Sequence, residues 1–399
     1  MENPKLALIP SGYISGNVYS ILPTDGVGDF DFSRDSIATR VKKDGLIETV
    51  GNNVPRLDWL NSECPSLLLE PQRLNVVYPN TSLSGYSINN GVKSDNVVIT
   101  PDGENNGSLV QSNGGGTCVI FKSFSTSTNT AYNMSVFLKK GNYNNIRLQE
   151  GFTNSQMVVD LSNGTEVSSA NVTNKKIEDY GSGWYRVSFN YTSHSSTSQA
   201  QYSVYINGST SAGNTYYTFG GQIEQGSYPT SHIKTTTGSA TRLIDYASNS
   251  GNSSLFNNLE GTLFINAAVL GDDGAYRVIS ISDGSTSNRV LIQLGNNSNQ
   301  IRADIISNGS TQASISSFSY DFTNFNKIAL RYKQNDVALY VNGTQVGTDT
   351  NANTPVNLNT LNFTNGNLGS LFYFIAKLKE LKYFDRALSN SELEILTTI

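Results

Sequence analysis

The stretch Gly220–Asp245, GGQIEQGSYPTSHIKTTTGSATRLID, decides how this chain is read. It continues the run YYTFGGQIE, whose aromatic and apolar residues make a strand, into a Tyr228-Pro229-Thr230-Ser231 turn. Beyond the turn lies a Thr/Ser-rich exit that holds Arg242 and Asp245. A long strand, a proline turn and a polar return form the closing edge of a β-sandwich.

Working outward, the rest of the chain has the same grain. Period-2 segments such as AYNMSVFLKKG, NIRLQEG, QMVVDLSNG, WYRVSFNY and QYSVYING are each bounded by Gly or Asn. So many short strands with turn residues between them predict a jelly-roll sandwich. A second strand series starts at EGTLFINAAVL, and KIALRYKQNDVALYVNGTQVGT reads as a meander that reaches the hairpin signal Asn342-Gly343. Near the end, Ser389 and Glu392 stand at capping-box spacing and predict a short helix. The fold class is therefore all-β: two antiparallel β-sandwich (jelly-roll) domains with an extended N-terminal segment and a short C-terminal helix. Boundaries fall at 1–60 for the extended segment, 61–246 for the first sandwich, 247–258 for a small-residue linker and 259–399 for the second sandwich.

Composition narrows the function classes. The chain has 399 residues, more than one core usually supports. Only 15% are charged and tyrosines number 21, which suits sheets with polar outer faces. A net charge of −5 without any basic run argues against nucleic acid as a partner. The start, MENPKLALIPSGY, lacks a signal-peptide core, and no apolar run is long enough for membrane insertion. Cys64 and Cys118 are far apart and lack metal-ligand spacing, so both read as buried thiols.

Two strings also resemble a known group. PSLLLEPQRLNVVYP, from Pro65 to Pro79, and the Gly-x-Gln-x-Glu, Tyr-Pro-Thr-Ser and Thr-Arg elements of Gly220–Asp245 resemble strings that open and close one module of tailed-bacteriophage structural proteins. GSGWYRVSF matches a third string of that module. Residues ALYVNGTQVG and LKYFDRALSNSELEIL resemble laminin-G-like members of the concanavalin superfamily. The resemblance implies a virion protein, a head or tail fibre whose N-terminal segment attaches to the particle. Its carbohydrate-binding-like jelly roll and laminin-G-like sandwich would meet bacterial surface glycans. It further implies other virion proteins as partners, a homotrimer, and assembly in the bacterial host cytoplasm. A tail-spike depolymerase or esterase and an architectural decoration protein are the rival classes.

Residues for chemistry were weighed against structural roles. Retaining glycosidases need two carboxylates about 5 Å apart. The Glu-x-Asp-x-x-Glu string of jelly-roll glucanases is missing, Glu178-Asp179 point to opposite strand faces, and Asp272-Asp273 read as a turn. Asp29, Asp31 and Asp35 read as a solvated acidic turn. Calcium is the one cofactor left open, through backbone carbonyls. His194 and His232 come with no nucleophile-elbow pattern, so no catalytic residue is assigned and the chain reads as a non-enzyme. Trp184 reads as a core anchor, whereas Tyr143, Tyr216 and Tyr217, at turns or strand ends, are the glycan-binding candidates. Arg34, Arg40, Arg73 and Arg242, with Glu70, Glu224 and Asp245 as partners, predict a polar clamp tying the N-terminal segment to the first sandwich. Scattered surface arginines are the alternative.

Overall fold

A computed structural model describes residues 3–366 and 372–399. The chain is nearly all strand and forms two compact units, one of Ala38–Thr49 and Gln72–Arg242, the other of Met1–Ile37, Val50–Pro71 and Leu243–Ile399.

In the first unit two six-stranded antiparallel sheets face each other. One runs Ser87–Asn89, Val119–Ser125, Gln199–Ile206, Asn145–Glu150, Ser155–Asp160, Thr165–Ala170. The other runs Gly91–Val98, Gly107–Ser112, Thr215–Gln225, Ala131–Lys140, Trp184–Thr192, Thr173–Asp179. Alternate residues of each strand, among them Met134, Val136, Leu138, Ile146, Val204 and Tyr216, fill the space between them. At Gly220 the pairing with Ala131–Lys140 slips by one residue. Only glycine suits this bulge, because φ is +64° and a Cβ would lie 2.8 Å from the Phe137 ring.

The second unit packs an eight-stranded sheet, centred on Glu260–Val269 and Ala376–Phe384, against a five-stranded sheet of Ser310–Ser317, Ile301–Ser307, Arg289–Leu294, Arg277–Ser282 and Thr360–Asn362. Ile301, Ala303 and Ile305 point into the core, and the outward Asp304 is also buried beside Arg302 at 2.8 Å. Asn342 and Gly343 turn the hairpin with φ of 50° and 78°, the twist that a two-residue turn requires.

The structure differs from the expected organisation in three places. Leu6–Leu8 and Ser66–Leu68 both pair with Ala376–Phe384, so the N-terminal segment and the PSLLLEP run build the second sandwich. Their apolar side chains are fully or almost fully buried there. The supposed linker is not one either: Tyr246–Ser248 is a strand paired with Phe30–Ser33, Ala247 is buried, and Phe256 lies 5.1 Å from the Tyr383 ring. Ala247 and Phe256 supply the apolar anchors that a mostly polar composition conceals. Finally, Cys118 is buried but Cys64 is exposed in a loop, so only one thiol is interior.

The helix Asn390–Thr397 starts in the expected capping box, with Ser389 Oγ accepting from Glu392 N and Glu392 receiving Ser389 N. Arg386 grips the same carboxylate at 2.7 and 3.0 Å, and these bonds hold it down at about 2. Replacing Ser389 with Ala should lower the unfolding free energy by about 1 kcal/mol in urea titrations, since one cap bond is lost.

Candidate functional site

The string that opened the sequence analysis folds back on its own sheet. After Thr215–Gln225 the chain turns and crosses the outward side, so that Asn133, Ser135, Phe137, Arg186, Ser188, Asn190, Gln222 and Glu224 are buried although they point away from the core. Each element of the string has a task in this cover. Gln222 Oε1 accepts from Ile233 N at 2.8 Å. Glu224 accepts from Thr230 N at 2.8 Å and Thr230 Oγ1 at 2.6 Å, and Arg242 Nη1 donates to Thr230 and Ser231 hydroxyls at 3.0 and 3.1 Å. His232 packs edge-on against Phe137 and meets Asn80 at 3.1 Å through Nε2. Burial, and behind it the Arg186 charge, push its imidazole down to about 3.

The clamp residues fall into separate groups. In the second unit Asp245 bridges two arginines: it accepts from Arg34 Nη1 at 2.9 Å and from Arg56 Nη2, while Arg56 Nη1 reaches Glu70 at 2.6 Å. Arg34 also donates to the carbonyls of Ser36, Gly51 and Val54. Burial works against the Arg56 charge, but Asp245 and Glu70 outweigh it and hold the group above the ordinary arginine range. In the first unit Arg73 Nε lies 3.8 Å from Glu224, with Arg242 nearby on Thr230. Arg40 pairs with Glu48 at 2.7 Å. Arg34, Glu70 and Asp245 thus close upon the second unit, not the first. Arg56, which completes their cluster, was missed; its signal was a charge amid the apolar residues of VPRLDWL.

Among the glycan candidates, Tyr216 is corrected outright: it is 0% exposed, in the core, with its hydroxyl on Val204 O at 3.2 Å. Tyr143 and Tyr217 are half-buried, and the Tyr143 hydroxyl is fixed to Asn207 O at 2.8 Å. The more open aromatic surface lies elsewhere. On the outward side of the sheet that contains Gln199–Ile206, cross-strand neighbours Val119, Tyr205, Arg147 and Val158 form one row, and Phe121, Ser203, Gln149 and Gln156 the next. Tyr205, Phe121, Arg147 and Gln156 remain partly exposed. Period 2 in QYSVYING, with Tyr202 and Val204 inward, was the signal that Tyr205 faces out.

A second concavity, about 400 Å³, lies at a rim of the second unit and is lined by uncharged groups including Asn308, Ser310, Gln312, Gln334, Asn353 and Thr354. The carboxylates weighed for catalysis or metal are engaged otherwise. Asp273 pairs with Arg277 at 2.6 Å, Asp272 accepts from Ser298, and Asp29, Asp31 and Asp35 accept from Ser20 N, Asn249 and Asn52. Glu178 and Asp179 end one strand, where Asp179 accepts from Gly181 N at 2.7 Å. His194 Nδ1 accepts loop amides of Ser196 and Thr197 at 3.2 Å.

Residues 261–394 match the family model of the Concanavalin A-like lectin/glucanases superfamily, Laminin_G_3. The second unit therefore carries a concanavalin-like, lectin-type domain within a longer chain. No curated protein matches the sequence. Solved structures with some likeness include a leech intramolecular trans-sialidase complexed with 2,7-anhydro-Neu5Ac, at 16% identity and TM-score 0.31 over 36% of this chain and 24% of that one. Another is a heptameric SAP-like pentraxin from Limulus polyphemus, at 14% and 0.26 over 34% and 68%. Mouse laminin alpha1 domains LG4-5 follow at 9% and 0.25 over 67% and 88%. This chain thus spans about a quarter of the leech protein.

Two measurements test the buried groups. Asp245→Asn leaves two buried arginines short of a charge and should cost roughly 3–5 kcal/mol of unfolding free energy in chemical denaturation. For His232, with a folded value of about 3 against 6.5, the unfolded chain binds the extra proton between those limits. Stability then falls as pH drops from about 6.5 towards 3, by up to about 1.4 kcal/mol per pH unit. The His232→Phe variant should show a shallower acid-side slope; an unchanged slope means that the ring is charged in the fold.

Proposed function

We propose that this chain is a non-catalytic structural protein of a tailed-bacteriophage virion, part of a head or tail fibre that contacts bacterial surface glycans. The match of residues 261–394 to the lectin/glucanase family carries the glycan part of this reading. The open Tyr205–Arg147 face and the amide-lined rim recess support it, because sugars are held by aromatic faces and planar hydrogen-bonding groups. For the virion part, the support is the set of phage-like strings, whose Gln222, Glu224, Thr230, Ser231 and Arg242 form one bonded group. A homotrimer assembled in the host cytoplasm with other virion proteins would raise a weak sugar affinity by avidity.

Purified chain incubated with host surface polysaccharide should bind it, release no oligosaccharide, and do so equally in EDTA, as no cofactor is invoked. Antibody labelling should decorate fibres on intact particles. Sustained turnover would instead make the chain a depolymerase or esterase. Silence towards glycans with tight binding to capsid or tail proteins would make it a decoration protein.

A further inference from the structure

The Tyr205 face has a property that a neutral sugar surface does not need. Arg147 projects from the middle of Asn145–Glu150, with its guanidinium carbon 4.0 Å from the Tyr205 ring centroid. Its Nη1 makes one long bond, 3.3 Å to Gln156 Oε1. Its Nε is buried and has no partner among the described residues, and the hydroxyl of the fully buried Ser203, one row along the same face, also has none. Arg34, Arg40, Arg56, Arg73, Arg277, Arg302 and Arg386 each face a carboxylate, whereas no ion pair among the described residues includes the partly exposed Arg147. A guanidinium so placed, partly desolvated and unmatched, calls for an anion.

We infer that this face binds an acidic saccharide, with the sugar carboxylate accepting from Arg147 and an adjacent ring lying on Tyr205 and Phe121. Stacking fixes the plane of the guanidinium fork. A planar carboxylate lies in that plane with two parallel bonds, which a tetrahedral phosphate does less well. Gln156, whose Oε1 accepts from Arg147, is partly exposed beside the fork and has an amide nitrogen for a sugar hydroxyl. The assignment rests on the adhesin reading and narrows it to uronic-acid-type or similar carboxylated glycans.

The test uses the full chain in calorimetric titrations with oligogalacturonate, oligoalginate and hyaluronan fragments, each beside its carboxyl-reduced counterpart, and with host surface polysaccharide. At least one acidic fragment should bind about tenfold or more tightly than its reduced form. Arg147→Gln should erase that difference. Arg147→Lys, which keeps charge but loses the fork, should retain only part of it and guards against a folding artefact in the first variant. Equal affinity for acidic and reduced forms, or binding of neutral glycans alone, overturns the inference and leaves the adhesin reading standing. If neither the fragments nor the host polysaccharide bind, the adhesin reading fails with it. A change in sedimentation of Arg147→Gln would assign the face to a second copy of the chain and also overturn the inference.

Discussion

Four charges meet away from water in the second unit, and the course of its chain depends on their balance. Asp245 cannot be buried alone, so Arg34 and Arg56 must both reach it, and Arg56 in turn needs Glu70. The two positive and two negative groups cancel. Such a cluster adds little net stability against an apolar substitute, because desolvation offsets most of the attraction. Its effect is on which arrangement is allowed. Three segments, around residues 34, 51–56 and 70, must lie where the 245 region passes; Asp245 N donates to Glu70 O, and Glu70 N donates to the Asp245 carboxylate, which locks that position. With them fixed, Leu6–Leu8 and Ser66–Leu68 have an edge of Ala376–Phe384 to pair with.

Much of the fold was legible because its signals are local. Period 2 marks strands whatever their partners are, Asn342-Gly343 makes its own turn, and Ser389 with Glu392 three residues later caps the helix. Domain membership was not local. PSLLLEP is a good strand in any sheet, and nothing within it says that Lys377 and Leu378 will be opposite. The clamp shows the same limit: the residue types were readable, but their partners depend on which segment arrives, so Arg56, which completes the Asp245 cluster, was not legible. Tyr216 failed through phase. Its strand alternates, and a tyrosine beside Tyr217 can face either side until the core on one side is known.

The two outward faces of the first unit show how one sandwich can serve two ends. On the sheet with Ala131–Lys140, outward positions hold Asn133, Ser135, Arg186, Asn190, Gln222 and Glu224, and the chain supplies its own cover. That cover needs residues in a fixed order, a strand, a Tyr-Pro turn and a returning Thr-Ser pair, which is why the Gly220–Asp245 string is so recognisable. Many of its polar residues are engaged by the returning chain: Glu224 by Thr230, Gln222 by Ile233, Asn190 by the Ser227 carbonyl.

On the opposite sheet the outward rows alternate buried Val119, Val158, Ser203 and Gln149 with partly exposed Tyr205, Phe121, Arg147 and Gln156. An unbonded buried Nε is shared by several arginines, Arg186 among them; what sets Arg147 apart is a partly exposed fork on Tyr205 with no carboxylate facing it among the described residues. One face of the sandwich is thus covered by its own returning chain, while the other presents Tyr205, Phe121 and Arg147 partly exposed.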